Sequence, residues 1–227
     1  MKQSQVHPYW LPLQEAFKAE ANEQVAKGAS AYMKHISVFY GIKSPNRRLL
    51  LNQFIKTYGL PGINMLEEIV LNAWEQPERE FQYAAMEVVF KLRKQFLPEH
   101  IMLFEFMITQ KSWWDTIDYI APNLVAEWFR KFPNDRDRVI SNWMLSGNIW
   151  LQRSCLLFQL KYKQHTDQQL LFSLAERLSG EKEFFIRKAI GWSLREYAKV
   201  NPEPVKAFVE KTPLSGLSRR EALKHLL

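Results

Sequence analysis

Three observations predict that the chain is all-α and forms an α-solenoid. There are only 8 glycines among 227 residues, and no long window alternates apolar and polar residues as a half-buried strand would. Apolar residues instead recur at helical spacing along the chain. Weakly similar segments also return about every 35 residues, which is the length of a helix–turn–helix repeat.

The helical period is clearest between positions 62 and 96. One face of the first predicted helix carries Ile63, Leu66, Ile69, Val70 and Ala73, and one face of the second carries Tyr83, Met86, Val89 and Phe90. Residues that stop or start helices separate the predicted elements. They lie at Ser44-Pro45, Gly59 to Gly62, Gln76-Pro77, Leu97-Pro98, Phe132-Pro133-Asn134, Ser146-Gly147-Asn148, Ser179-Gly180 and Asn201-Pro202. Because no flexible linker interrupts this series, we expect one domain over residues 1–227.

The repeat is seen in segments that start at Phe81, Trp150 and Phe185. Aligned on the small residues Ala85, Ser154 and Ala189, they are separated by 69 and 35 residues, and the first gap is about two repeats. Each helix pair of a solenoid buries its apolar face on its neighbours, and the stack curves. We therefore expect the concave face to be the binding surface.

The charge balance favours a polyanionic partner. The chain has 31 Lys and Arg against 24 Asp and Glu, a net charge of +7. A merely solvated basic surface is the alternative. Cys155 is the only cysteine, which fits a reducing compartment. No secretory signal precedes the helices and no apolar run approaches 18 residues, so we expect a cytoplasmic protein outside the membrane.

The stretch "SWWDTIDYIAP" at positions 112–122 joins aromatic surface to acid. On a helix, Trp114 and Asp118 share a face because they are four residues apart, whereas Asp115 points about 100° away. Trp113 is expected to pack in the core, and Asp115 to be a solvated or capping acid. A partly buried Asp118 needs a partner, since an unpaired buried charge is unfavourable.

Candidate partners of Asp118 lie on the later repeats. Arg153 occupies the repeat position that Ala84 and Lys188 occupy in the other segments, and Trp192 lies one turn beyond Lys188. We expect Trp114, Asp118, Arg153 and Trp192 to converge on the concave face. A structural salt bridge between Asp118 and Arg153 is the alternative.

Basic residues follow the repeats as possible phosphate contacts. They are Lys43, Arg47, Arg48, Lys91, Arg93, Lys94, Arg187 and Lys188. In "GIKSPNRR" we expect Ser44 as the N-cap and Pro45 at the first helical position, which leaves Arg47 and Arg48 in the first turn. A bound phosphate would favour this helix start, but two solvated arginines are an equally good interpretation.

Other chemistries have little support in the sequence. The five histidines are far apart and form no ligand pair at helical spacing, so no metal is expected. There is no glycine-rich phosphate loop and no Gly-x-Ser-x-Gly motif. Cys155 lies on an apolar helix face and is expected to be an inert core residue.

Four segments together resemble the DNA alkylation repair family, whose members are DNA glycosylases built from HEAT-like repeats. They are "AYMKHISVFYGIKSPNRR" at 31–48, "SWWDTIDYIAP" at 112–122, "GNIWLQRSCLLFQLKYKQHTD" at 147–167 and "EFFIRKAIGWSLREYAKVNPEPV" at 183–205. The resemblance covers nearly the whole chain. It implies a curved stack with a basic concave face that binds duplex DNA.

The resemblance also implies an activity and its residues. It implies excision of cationic N3- and N7-alkylated purines by a monofunctional, monomeric enzyme that needs no cofactor and does not flip the base into a pocket. Trp114 and Asp118 match the family's catalytic aromatic and acid, Arg153 its active-site arginine, and Trp192 its second sugar-stacking tryptophan. Tyr32 matches a DNA-contacting aromatic residue.

Two further functions stay open on the sequence alone. The chain is also compatible with a non-catalytic solenoid that binds distorted or branched DNA, or with a protein-binding scaffold whose charge is incidental. We expect Tyr32, Lys43, Arg47, Arg48, Arg187 and Lys188 to contact DNA, and a bacterial member would associate with the nucleoid.

Overall fold

The prediction of an all-α fold is confirmed. The computed structural model describes residues 5–226, and over that range the chain forms helices and no strand beyond one isolated bridge between Val38 and Glu78. The α-helices are α1 (Leu11–Ala19), α2 (Glu23–Tyr32), α3 (Ser44–Tyr58), α4 (Leu66–Glu75), α5 (Arg79–Lys91), α6 (His100–Thr109), α7 (Trp114–Ile120), α8 (Ala126–Lys131), α9 (Pro133–Leu145), α10 (Ile149–Leu157), α11 (Gln168–Arg177), α12 (Phe184–Ala198), α13 (Pro202–Lys211) and α14 (Gly216–Leu223). Successive short helices of this kind are those of an α-solenoid.

The helices group into two compact units, and the division in the sequence falls between Phe96 and Leu97. The N-terminal unit contains α1 to α5, and the C-terminal unit contains α6 to α14. A single domain over 1–227, its curvature and its basic concave face stay predictions.

Aromatic side chains fill the core of the N-terminal unit. Trp10, Phe17 and Phe81 are fully buried, and the Trp10 indole donates to the carbonyl of Ile69 at 3.0 Å. Burying such large rings contributes most of the driving force for packing these short helices.

A buried carboxylate holds the loop between α2 and α3. Glu80 accepts hydrogen bonds from the backbone amides of Tyr40, Gly41 and Ile42 at 3.0–3.3 Å. Gly41 has a φ of +85°, and a side chain there would collide with the backbone of α2, so only glycine fits. The loop is therefore fixed at its C-terminal end, next to the start of α3.

The C-terminal unit is built around α10, which packs against both α7 and α12. The small residues used to align the repeats, Ser154 on α10 and Ala189 on α12, are fully buried, as is Ala85 on α5. Small side chains at these positions let neighbouring helices approach closely. All three aligned residues are therefore core positions of their helices, and the repeat itself stays a prediction.

Helix α7 continues through a π-helical turn, Ala121–Val125, directly into α8. Pro122 has no N–H to donate to the carbonyl of Asp118, four residues earlier, and the amide of Ala126 bonds to Ala121, five residues earlier. The widened turn keeps the rod helical past the proline. The helix with Asp118 is thus continuous with α8, whose Trp128 and Phe129 are buried.

Helix α14 packs closely along α12. A side chain at Gly191 would meet the Ser218 carbonyl at 2.8 Å and collide with Glu221, so glycine is needed at this crossing. Glu221 forms ion pairs with Lys188 and Arg195, which lie one turn on either side of Gly191. Close packing and charge pairing together hold α14 in place.

Candidate active site and nucleic-acid interface

Asp118 on α7 and Arg153 on α10 form a bidentate ion pair. The Arg153 Nε donates to one carboxylate oxygen at 2.9 Å and Nη2 donates to the other at 3.0 Å. A third nitrogen, Nη1, donates to the carbonyl of Phe185 on α12. The guanidinium therefore joins three helices and fixes the orientation of the carboxylate.

The two partners differ in exposure. The Arg153 side chain is 4% exposed, whereas that of Asp118 is 20% exposed. Burial raises the pKa of Asp118 above its ordinary value, while Arg153 opposes the rise and the nearby Asp115 adds to it. The arrangement places an oriented, partly accessible carboxylate above a buried cation.

An aromatic cluster lies next to the Arg153 end of this pair. Trp113, Trp150 and Phe185 contact one another with ring centroids 5.0–5.9 Å apart, and the guanidinium lies 5.9 Å from the Phe185 ring. Trp113 packs in this cluster, although its buried indole N–H has no hydrogen-bond partner. Trp150 and Phe185 were not predicted as site residues. Their spacing of 35 residues, one repeat, is the signal that could have found them.

Trp114 and Trp192 are half-buried, unlike the core tryptophans Trp10 and Trp128. Trp114 begins α7, one turn before Asp118. Trp192 lies seven residues after Phe185 on α12, and residues seven apart share a helix face. Both tryptophans thus have ring surface available beside helices that meet at the Asp118–Arg153 pair.

The predicted phosphate contacts on α12 are already engaged within the C-terminal unit. Lys188, with 37% of its side chain exposed, pairs with Glu221 at 2.8 Å. The hydrogen bonds from Lys188 and Arg195 lower the pKa of Glu221. Arg187 donates from Nε to the carbonyl of Glu181 at 2.9 Å. Any phosphate contact by Lys188 would therefore have to compete with a carboxylate.

In the N-terminal unit, Tyr32 is 71% exposed at the end of α2, and Lys43 is exposed at the start of α3. Helix α3 begins at Ser44 with Lys43 as its N-cap, so the predicted N-cap at Ser44 is wrong by one residue. Pro45 then takes the second helical position, which equally needs no amide donor.

The two arginines of α3 have different environments. Arg47 is buried, pairs with Glu87 at 3.0 Å and stacks on the Tyr83 ring at 4.5 Å. Arg48 keeps 63% of its side chain exposed, although its Nε lies 3.8 Å from the same Glu87 carboxylate. The interpretation of two solvated arginines is therefore wrong for Arg47, which Glu87 and Tyr83 hold in the core.

The described residues give little support to other sites. Across residues 5–226, no group of three His, Cys, Asp or Glu side chains is placed to hold a metal ion. Cys155 is buried, and burial raises the pKa of its thiol, so it packs as a core residue. No helix in the same range has the length and apolar character needed to cross a membrane.

A family model and a solved structure that match the chain carry the same description. The family model described as DNA alkylation repair enzyme matches residues 13–226. A solved structure described as a predicted DNA alkylation repair enzyme from Enterococcus faecalis is 33% identical, with a TM-score of 0.84, over 91% of this chain and 97% of that one. No curated protein matches significantly.

Proposed function

Because the chain belongs to the DNA alkylation repair enzyme family, we propose that it is a monofunctional DNA glycosylase. Its substrates are N3- and N7-alkylated purines in duplex DNA, and it hydrolyses their N-glycosidic bonds. The observation that carries the proposal is the Asp118 carboxylate, which Arg153 orients from beneath and which stays partly accessible beside Trp114.

The chemistry of the lesion fits this site. An N-alkylated purine is cationic, so the C1′–N bond can break and return its electron pair to the base, which leaves neutral. The sugar then carries the positive charge, and water adds its oxygen to C1′ and releases a proton. A fixed carboxylate stabilises the cationic sugar and the transition state that leads to it.

Arg153 has a positioning role in this mechanism. Its contacts to Asp118 and to the Phe185 carbonyl, with only 4% of the side chain exposed, favour this role over direct contact with a DNA phosphate. Trp114 and Trp192 are proposed to face the cationic sugar, where each ring would contribute roughly 0.5–2 kcal/mol.

Affinity for DNA is assigned to basic residues that keep access to solvent. The exposed Lys43 and Arg48 and the partly exposed Arg187 and Lys188 are proposed to contact phosphates, and Tyr32 to contact the duplex through its exposed ring. Arg47 is left out because it is buried against Glu87. Such contacts carry no base sequence information, so binding should be salt-sensitive and largely independent of sequence.

Release of free base from methylated duplex DNA tests the proposal. We expect release of N3-methyladenine and N7-methylguanine, but not of uracil or hypoxanthine, which need protonation of the leaving group. A second candidate is a non-catalytic protein that binds distorted DNA. The observation in its favour is that Arg153 neutralises the Asp118 charge that catalysis would use. Tight binding to methylated or branched duplex without base release would support that candidate instead.

A further inference from the structure

A second interaction joins the two helical segments that carry Asp118 and Arg153. The Nζ of Lys161 donates to the side-chain oxygen of Asn123 at 2.6 Å. Asn123 lies in the π-helical turn that continues α7, and Lys161 ends the 3-10 turn that continues α10. The two segments run in the same direction, because the earlier residues pair with each other and so do the later ones.

Both polar atoms of the Asn123 side-chain amide form hydrogen bonds. Its nitrogen donates to the carbonyl of Tyr119 at 2.7 Å, and its oxygen accepts from Lys161. Asn123 is only 7% exposed, so its polar atoms have little access to solvent. Tyr119 is the residue after Asp118, and one buried side chain therefore links the backbone next to the carboxylate to the neighbouring segment.

The π turn explains why such a link is needed. Pro122 cannot donate to the Asp118 carbonyl, so the backbone just after the carboxylate lacks one regular helical hydrogen bond. A π turn within an α-helix is frequently found at functional sites. Here the turn is held from outside by Lys161.

We propose that the Asn123–Lys161 hydrogen bond is a positioning brace that sets the register of α7 against α10 and so holds Asp118 where the deoxyribose of the lesion lies. The Asp118–Arg153 pair joins the two segments at one point, and the brace joins them again five residues later on the α7 side and eight residues later on the α10 side. Two separate links resist sliding and rotation of one segment against the other better than one link does. The inference rests on the proposed glycosylase activity.

Asn123→Ala removes the brace without changing any charge. We expect the single-turnover excision rate at saturating protein to fall about 10- to 100-fold, the scale for a small displacement of a catalytic group, with duplex affinity changed less than about threefold. Lys161→Met should slow excision similarly. Lys199→Met is the matched control, because Lys199, at the C-terminal end of α12, pairs with Glu196 three residues earlier and joins no two segments.

Asn123→Asp separates the brace from the local hydrogen bond. It keeps an oxygen for Lys161 but loses the donor to Tyr119, so recovery of most of the rate is expected if the link between segments matters. An Asn123→Asp variant as slow as Asn123→Ala would overturn the brace, as would a wild-type rate in Asn123→Ala.

Amide hydrogen exchange tests the brace without relying on activity. Residues 114–126 and 149–161 should exchange faster in Asn123→Ala and recover in Asn123→Asp. Unchanged exchange would overturn the proposal even if excision slows. If the wild-type protein releases no base, the proposed function fails, and exchange in these segments still decides whether the brace exists.

Discussion

The Asp118 carboxylate and the Arg153 guanidinium meet in two hydrogen bonds across 35 residues of sequence. That separation equals the predicted repeat length, so the predicted repeat places the two residues at equivalent positions. An acid on α7 and a cation on α10 thereby form an oriented charge pair that links the two helices.

Replacing Asp118 by asparagine should separate catalysis from binding. Asp118→Asn keeps the size but loses the charge, so single-turnover excision of N7-methylguanine should fall roughly 10²–10³-fold. Duplex affinity should hold or rise, because an acid facing a polyanion is repelled. Asp115→Asn, on another face of α7, is the matched control and should be nearly silent. Equal rates for Asp118→Asn and wild type would falsify the mechanism.

The pH dependence of excision should report the raised pKa of Asp118. Only the ionised carboxylate stabilises the sugar cation, so the rate should fall as pH falls through that pKa, above the ordinary aspartate value of about 3.9. Arg153→Met removes the cation that opposes the rise, and the acid limb should move to higher pH. Single-turnover rates measured against pH give the acid limb of the wild type and of Arg153→Met. If the limb lies at the same pH in both proteins, a group other than Asp118 controls it.

Arg47 and Arg48 should respond differently to replacement by alanine. Arg48→Ala should weaken all duplexes alike and reduce the slope of log K against log salt by about 0.9, the value for one lost phosphate contact. Arg47→Ala should instead destabilise the fold by about 2 kcal/mol, less than the roughly 3–5 kcal/mol of a fully buried pair, since Glu87 keeps some exposure. Salt titrations and urea unfolding measure the two effects. A larger binding loss in Arg47→Ala would contradict this assignment.

Trp114 and Trp192 should act on the reaction and not on folding. Each alanine variant should lose about 1–2 kcal/mol of transition-state stabilisation, roughly a 5- to 30-fold slower excision. The control is Trp128→Ala, since Trp128 is 1% exposed and donates to the Leu97 carbonyl. That variant should lose about 3–5 kcal/mol of stability. Circular dichroism and unfolding curves read the fold, and a Trp114 variant that unfolds would place that ring in the core.

Adding one methyl group at two glycines should have opposite effects. Gly191→Ala forces α14 away from α12 and should cost about 1–3 kcal/mol of stability. Gly28→Ala, inside α2 with open space around the new carbon, should gain up to about 1 kcal/mol from helix propensity. Urea unfolding of both variants checks the sign. A neutral Gly191→Ala would mean that α14 can shift without loss of stability.

Features carried by local spacing could be predicted from the sequence. The helical period and the shared face of Trp114 and Asp118 depend on residues close in the chain. Arg153 was selected because it occupies the same predicted repeat position as Ala84 and Lys188. Arg47 was misassigned because Glu87, its partner, is 40 residues away and off the repeat period. The pairing of Lys188 with Glu221 was missed for a similar reason.

The π turn shows a different limit of sequence analysis. A proline inside a helical pattern normally ends or kinks the helix. Here the rod continues past Pro122, because widened hydrogen bonding and the Asn123 amide satisfy the backbone around it. The Asn123 side-chain oxygen also accepts a hydrogen bond from Lys161, 38 residues later in the chain, and no local pattern reveals that contact.

The packing of α14 on α12 has a consequence for synthesis of the chain. The ribosome makes protein from the N-terminus at roughly 5–20 residues per second, and helices can pack only after they leave the exit tunnel. Helix α12, which carries Trp192 and supplies the carbonyl that holds Arg153, stays uncovered on one side until residues 216–223 have emerged. A nascent chain stalled before that point would present the acid, the arginine and both tryptophans without the support of α14. Competence for repair is thus expected to arise only after α14 has emerged and packed on α12.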